Sequence, residues 1–151
     1  MGKKLLLEYE EENPYYYIGI SSSIPDYQMI FDLNKNLKLG LCHVDAFQFK
    51  KKNKEFIYSL YLHIDHENLV NYYLISNKYL ANPLIPHLKQ FDFFIILEGE
   101  INHEFVTKLG RSIMKLPRVM IAAQLEGDYF DKIQNLRYEF DLHLEKVLKI
   151  I

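Results

Sequence analysis

Three consecutive segments restrict the fold more than any other feature of the chain. "LCHVDAFQF" (41–49), "EFIYSLYLHI" (55–64) and "LVNYYLIS" (69–76) are rich in aromatic and β-branched residues. They are separated only by the charged turn "KKKNKE" and by "DHEN". Links this short leave no room for a crossover, so the three predict antiparallel neighbours in one sheet. In the second segment Phe56, Tyr58, Leu60, Leu62 and Ile64 alternate with Ile57, Ser59, Tyr61 and His63. One face is wholly apolar and the other mixed, which describes a sheet with one face on a core and one partly covered.

The remaining elements are arranged around that meander. "YYYIGISSS" (15–23) reads as a strand running into a helix cap, with Ser23 and Asp26 as an S-x-x-D start and Pro25 in the first turn. The helix should reach Leu37, with Tyr27, Ile30 or Phe31, Asn34 and Leu37 at helical spacing and Gly40 near its stop. Pro83 and Pro86 break the chain before "FDFFIILEG", a further strand. "NHEFVTKLGRSIMKLP" predicts a second helix capped by Asn102, with Phe105, Leu109, Ile113 and Leu116 inward and Pro117 at its end. "RVMIAAQL" is a strand again, so Phe93 to Leu125 has the form of a right-handed crossover.

The C-terminal segment fits two templates. Leu136, Tyr138, Phe140, Leu142 and Leu144 alternate with polar residues, whereas Ile133, Leu136, Phe140, Leu144, Val147 and Ile151 form a helical stripe. The alternation favours a strand over 136–144 followed by a short helical tail. The expected fold is therefore α+β. An acidic leader (1–14) precedes a single domain (15–151), a mostly antiparallel sheet of six to seven strands with two main helices packed on one face.

A chain of 151 residues has the length of one ordinary domain. Its 12 Tyr and 10 Phe, with no Trp, favour sheet faces and a self-associating surface. A formal net charge of −2 predicts no general attraction to DNA, RNA or anionic membrane. The lone Cys42 sits in apolar "LGLCHVDAF", which predicts a buried thiol in a reducing cytoplasmic setting. "MGKKLLLEYEEENP" lacks the apolar core of a secretory signal, and no uncharged run is long enough to span a bilayer.

"LIPHLKQFDFF" carries the one family likeness in the chain. It resembles the signature of the bacterial IPExxxVDY family: Ile85, Pro86 and Asp92 match, while His87, Phe91 and Phe93 stand for Glu, Val and Tyr. "IGISSSIPDYQMIFDLNK", "YYLISNK" and "QNLRYE" extend the resemblance over most of the chain. It implies a small cytoplasmic protein and brings no catalytic residue or cofactor with it. A carboxylate mechanism at the motif's Glu would not carry over to His87, whose pKa and geometry differ. Asp92 stands at the entrance of a strand, where it can accept N–H groups from the turn over Pro86 to Gln90, a structural role.

Candidate chemistries are few. In "HIDHE", His63 and Asp65 share a strand face, but a polar hairpin turn explains the cluster more simply than a metal site. His103 and Glu104 are followed by Thr107 where a zinc-binding HExxH needs histidine. Cys42 and His43 are adjacent and hence on opposite strand faces, a poor nucleophile and base. "SSSIPD" could hold an anion at a helix N-terminus but lacks a glycine-rich loop.

A basic stripe of Lys108, Arg111 and Lys115, continued by Arg118, is the candidate partner-binding surface, and "FKKKNKE" is a second basic cluster. On a helix its first three members lie within about 60° of one another. No catalytic residue, metal or cofactor is expected. The leading expectation is a non-enzymatic cytoplasmic binding or scaffold protein that associates with itself or another protein. The alternatives are an RNA-associated accessory protein using the basic stripe, with weak RNA affinity, and a small-molecule sensor.

Overall fold

The computed structural model describes residues 14–127 and 129–150, so the expected leader lies outside the described residues except for Pro14. Strand β1 (Tyr16–Ser21) is followed by helix α1 (Asp26–Leu37), then by the meander β2 (Cys42–Lys51), β3 (Lys54–Asp65) and β4 (Val70–Ser76). A two-stranded hairpin, β5 (Lys78–Tyr79) and β6 (Asn82–Pro83), and a single 3-10 turn (Pro86–Leu88) lead into β7 (Phe93–Gly99). Helix α2 (His103–Met114), β8 (Ile121–Leu125) and helix α3 (Leu136–Ile150) complete the chain. The main sheet has six strands in the order β2-β3-β4-β7-β1-β8, antiparallel at every pairing.

β7 and β8 are each antiparallel to β1, so they run parallel to one another with β1 between them, and α2 makes the crossover. The meander has the predicted order. Its first turn holds Lys52 and Asn53 at φ of 49° and 66°, the two left-handed residues a tight hairpin needs.

Alternation along β7 explains why the sheet is covered on both sides. Phe93, Ile95 and Leu97 face one core with α1 and α2, while Phe94 and Ile96 face a second core with α3. Each large side chain buried in this way contributes about 1.5–3 kcal/mol of transfer free energy. The two main helices do share one face. The third helix, on the other face, corrects the expected strand over 136–144. Leu136, Phe140, Leu144 and Val147 are buried against the sheet, and Tyr138 and Leu142, which a strand would place beside them, point to solvent.

Three smaller expectations change. Ser23 does not cap α1: Pro25 occupies the cap position without a side-chain bond, and Asp26 accepts from the Tyr27 N–H instead (2.8 Å). The inward stripe of α1 is Met29, Ile30 and Leu33, turned by about one residue from the expected set, so Tyr27 and Phe31 are exposed. Lys38 at φ 55°, two residues before Gly40, makes the left-handed stop. The cap expected for α2 is present, with Asn102 Oδ1 accepting from Phe105 N at 2.9 Å. Its fully buried contacts are Val106, Gly110 and Ile113, with Phe105 and Leu109 partly covered.

Candidate functional site

The segment that carries the family likeness is held by a residue the sequence did not single out. Asn77, fully buried, donates from its carboxamide to Leu88 O (3.0 Å) and Phe91 O (2.9 Å) and accepts from Ile85 N (3.0 Å). Its backbone N–H donates to Asp92 O and its carbonyl accepts from Leu84 N. One side chain thus pairs Phe91 O and Ile85 N, and adds a second donor to Leu88 O, which also accepts from Phe91 N (3.1 Å).

Asp92 does accept a backbone N–H, but from Ser22 (2.9 Å) rather than from the Pro86–Gln90 turn, and its other oxygen accepts from Lys78 Nζ (2.9 Å). Asp92 therefore ties the entrance of β7 to the end of β1. Ile85, Phe91 and Phe93 are core residues, and Pro86 and His87 lie at the surface of a cleft described below.

The members of the basic stripe have different neighbours. Lys108, Arg111, Lys115 and Arg118 are all exposed, but Lys108 shares a shallow hollow with Glu100 and Glu104, and Arg118 turns its Nε towards Asp32 of α1 (3.8 Å). Arg118 also fixes the chain through its carbonyl, which accepts from Ser22 Oγ (2.7 Å). His103 and Thr107 have a structural use: Thr107 Oγ1 donates to Gln124 Oε1 (2.8 Å), and Gln124 Nε2 meets His103 Nδ1 (3.2 Å), so the pair clamps β8 to α2.

Cys42 is exposed, contrary to the buried thiol expected, because Leu41 takes the inward position and β2 is an edge strand. Asp65 accepts from the Asn68 backbone N–H and side chain, bonds that pull its carboxyl below the usual range and close the "HIDHE" turn. Among the described residues no three His, Cys, Asp or Glu side chains converge as a metal cage would need. No helix among them is long and apolar enough to cross a membrane.

Tyrosine lies on the sheet faces, as expected, and much of it is buried there. Tyr15, Tyr17, Tyr58, Tyr61, Tyr72 and Tyr73 are all buried. Tyr15 donates to Asp141 (2.5 Å), Tyr73 to Glu98 (2.7 Å) and Tyr61 to Asp26 (3.0 Å), and the Arg137 guanidinium carbon lies 3.7 Å from the Tyr15 ring centroid. Burial, with the neighbouring carboxylates second, pushes the Tyr15 and Tyr73 hydroxyls far above their usual range. The Tyr15–Asp141 and Tyr73–Glu98 pairs line a hollow of about 540 Å³ between β4, β7 and α3, and both hydroxyls already have their acceptors.

Two features among the described residues are open to a partner. One is a cleft of about 470 Å³ on the α3 face, between the β2–β3 hairpin, the Ile85–His87 turn and the 129–135 segment. Lys50, Lys51, Lys52, Lys132 and His87 line it, and among the described residues no carboxylate does. The other is the edge of β8.

The two edges of the sheet contrast. β2 carries a bulge between Val44 and Phe47, ends in lysines, and has its Asp45 carbonyl covered by His143 Nε2 of α3 (2.7 Å), all of which hinder pairing with another strand. β8, "IAAQL", has no charge, proline or bulge, pairs on one side only with β1 among the described residues, and is flanked by exposed Met120. No protein-family model matches the chain, and no curated protein matches its sequence.

Proposed function

We propose that the chain is a non-enzymatic binding protein that works as a self-associated assembly, its copies joined edge to edge through β8. The contrast between the two sheet edges carries this reading: β2 has three obstacles to pairing and β8 has none. An antiparallel β8–β8 pair about a two-fold axis at Ala123 would set Ile121 opposite Leu125 of the other copy and join the two six-stranded sheets into one. Ile121 and Met120, 48% and 63% exposed, would lose water in the process. The likeness to the IPExxxVDY family and a cytoplasmic setting belong to the same reading. An exposed lone thiol at Cys42 is at home in a reducing compartment.

Light scattering over a concentration series tests the assembly. The unaltered chain is expected to run as a dimer and Ile121→Lys as a monomer, because a lysine on an edge strand opposes pairing. A monomer at the highest soluble concentration, or a dimer indifferent to Ile121→Lys, would overturn the proposal.

A further inference from the structure

We propose that the lysine-lined cleft on the α3 face is a binding site for a free nucleoside phosphate, with the phosphate held by the lysines and the base against Pro86 and Tyr129. This goes beyond self-association, since the cleft belongs to the β2–β3 hairpin and not to the β8 edge. Its volume of about 470 Å³ lies within the range of small-ligand sites. Charge selects the ligand's sign. Lys51, Lys52, Lys132 and His87 line the cleft on the α3 face, in a chain whose formal net charge is −2, and no carboxylate among the described residues shares the lining.

One of these cations is fixed in place. Lys51 Nζ donates to Pro83 O (3.0 Å) and Leu84 O (3.4 Å) and lies 5.8 Å from the Phe49 ring centroid, which locks the hairpin tip onto the turn that forms the opposite wall. Lys52 and Lys132 are exposed and can close on an anion. An inorganic anion would use only those lysines. Exposed Pro86 and partly exposed Tyr129 offer apolar surface as well, and Lys132, 4.9 Å from the Tyr129 ring centroid, sets a cation beside that surface. A ligand with a phosphate at one end and a planar ring at the other uses both.

A free nucleotide is preferred to a polymer because the basic stripe does not continue the site. Lys108 and Arg111 on α2 and Lys115 at its end lie across the sheet from the cleft.

Calorimetric titration of the full chain tests this, with adenosine 5′-monophosphate, inorganic phosphate and a short single-stranded oligoribonucleotide as probes. Adenosine monophosphate is expected to bind saturably and at least about 10-fold more tightly than phosphate. Lys52→Ala, Lys132→Ala and His87→Glu should each weaken it by about 10-fold at unchanged Tm, since all three side chains are exposed, while Lys108→Ala leaves it unaltered. The proposal is overturned by absent saturable binding, by binding indifferent to the three cleft variants, or by phosphate binding as tightly as the nucleotide. Oligoribonucleotide binding more than about 10-fold tighter than the mononucleotide would also overturn it and assign the cleft to RNA.

Discussion

The Phe91 ring lies across the backbone of Gly19, with three ring carbons 2.7–2.9 Å from where a Cβ on residue 19 would stand. Gly19 is central in β1, paired with Phe94 of β7 and Ala123 of β8. A glycine weakens a strand, and its use here is explained by the close approach of the ring. Gly19→Ala should therefore destabilise the fold by about 1–3 kcal/mol, the range for overpacking. Urea denaturation of Gly19→Ala, Phe91→Leu and the double variant checks the cause: the double variant should be more stable than the sum of the single losses. Simple additivity would show that the two residues do not clash.

Asn77 and Asp92 both hold the segment between β4 and β7, and their burial ranks them. Asn77→Ala would leave Phe91 O and Ile85 N without their partner and Leu88 O with the Phe91 N–H alone, a loss of about 2 kcal/mol or more. Asp92→Asn keeps an acceptor for Ser22 N and gives up only the attraction to a part-exposed Lys78, about 1 kcal/mol. Thermal melting of the two variants should show the larger fall for Asn77→Ala. The opposite order would make Asp92 the main tie.

The buried tyrosines give the protein an alkaline limit. Burial pushes the Tyr58 and Tyr61 hydroxyls up to about 12, and Tyr15 and Tyr73 are raised further. Unfolded tyrosines ionise near pH 10. Below that both states hold the proton and the stabilisation is fully present. Above it the unfolded chain loses protons that the folded chain keeps, so stability falls with rising pH until the folded pKa is passed. The slope is about 1.4 kcal/mol per pH unit for each tyrosine held neutral. Melting temperatures should be flat from neutrality to about pH 10 and then fall steeply. Phenolate absorbance appearing with unfolding would confirm the linkage, and absorbance from these tyrosines well before unfolding would refute it.

How much could be read from the chain depended on whether the signal was local. The meander was legible because Phe56 to Ile64 alternate cleanly and Asn53 suits a left-handed turn. The β5–β6 turn was not, since Leu80 and Ala81 sit at φ of 48° and 67°, positions neither residue type favours. Asn77 gave no warning because nothing in "LISNKY" distinguishes an exposed asparagine from a buried one with every bond filled. The cleft was only half visible: "FKKKNKE" and the Ile85–Pro86–His87 motif both stood out, but their meeting with residues 129–135 is a matter of tertiary packing.

The C-terminal helix shows how a correct pattern can give the wrong element. Leu136, Phe140 and Leu144 are four apart, a spacing that satisfies period 2 and approximates period 3.6, so they cannot decide between strand and helix. Only the residues between them can, and propensity favoured the helix: Val147 is the sole β-branched residue in 136–149. Two i,i+4 ion pairs, Arg137–Asp141 (3.0 Å) and Glu145–Lys149 (3.5 Å), accompany the helical form. A strand would bury Tyr138 and Leu142 together with Phe140; the helix buries Phe140 and leaves Tyr138 64% and Leu142 37% exposed. Phe140→Ala, which removes a ring packed against Tyr15, Phe47, Tyr73 and Phe130, should cost about 3–5 kcal/mol. Tyr138→Ala should stay within about 0.5 kcal/mol and Leu142→Ala close to it, as surface substitutions do. Equal losses at 138, 140 and 142 in chemical denaturation would restore the strand.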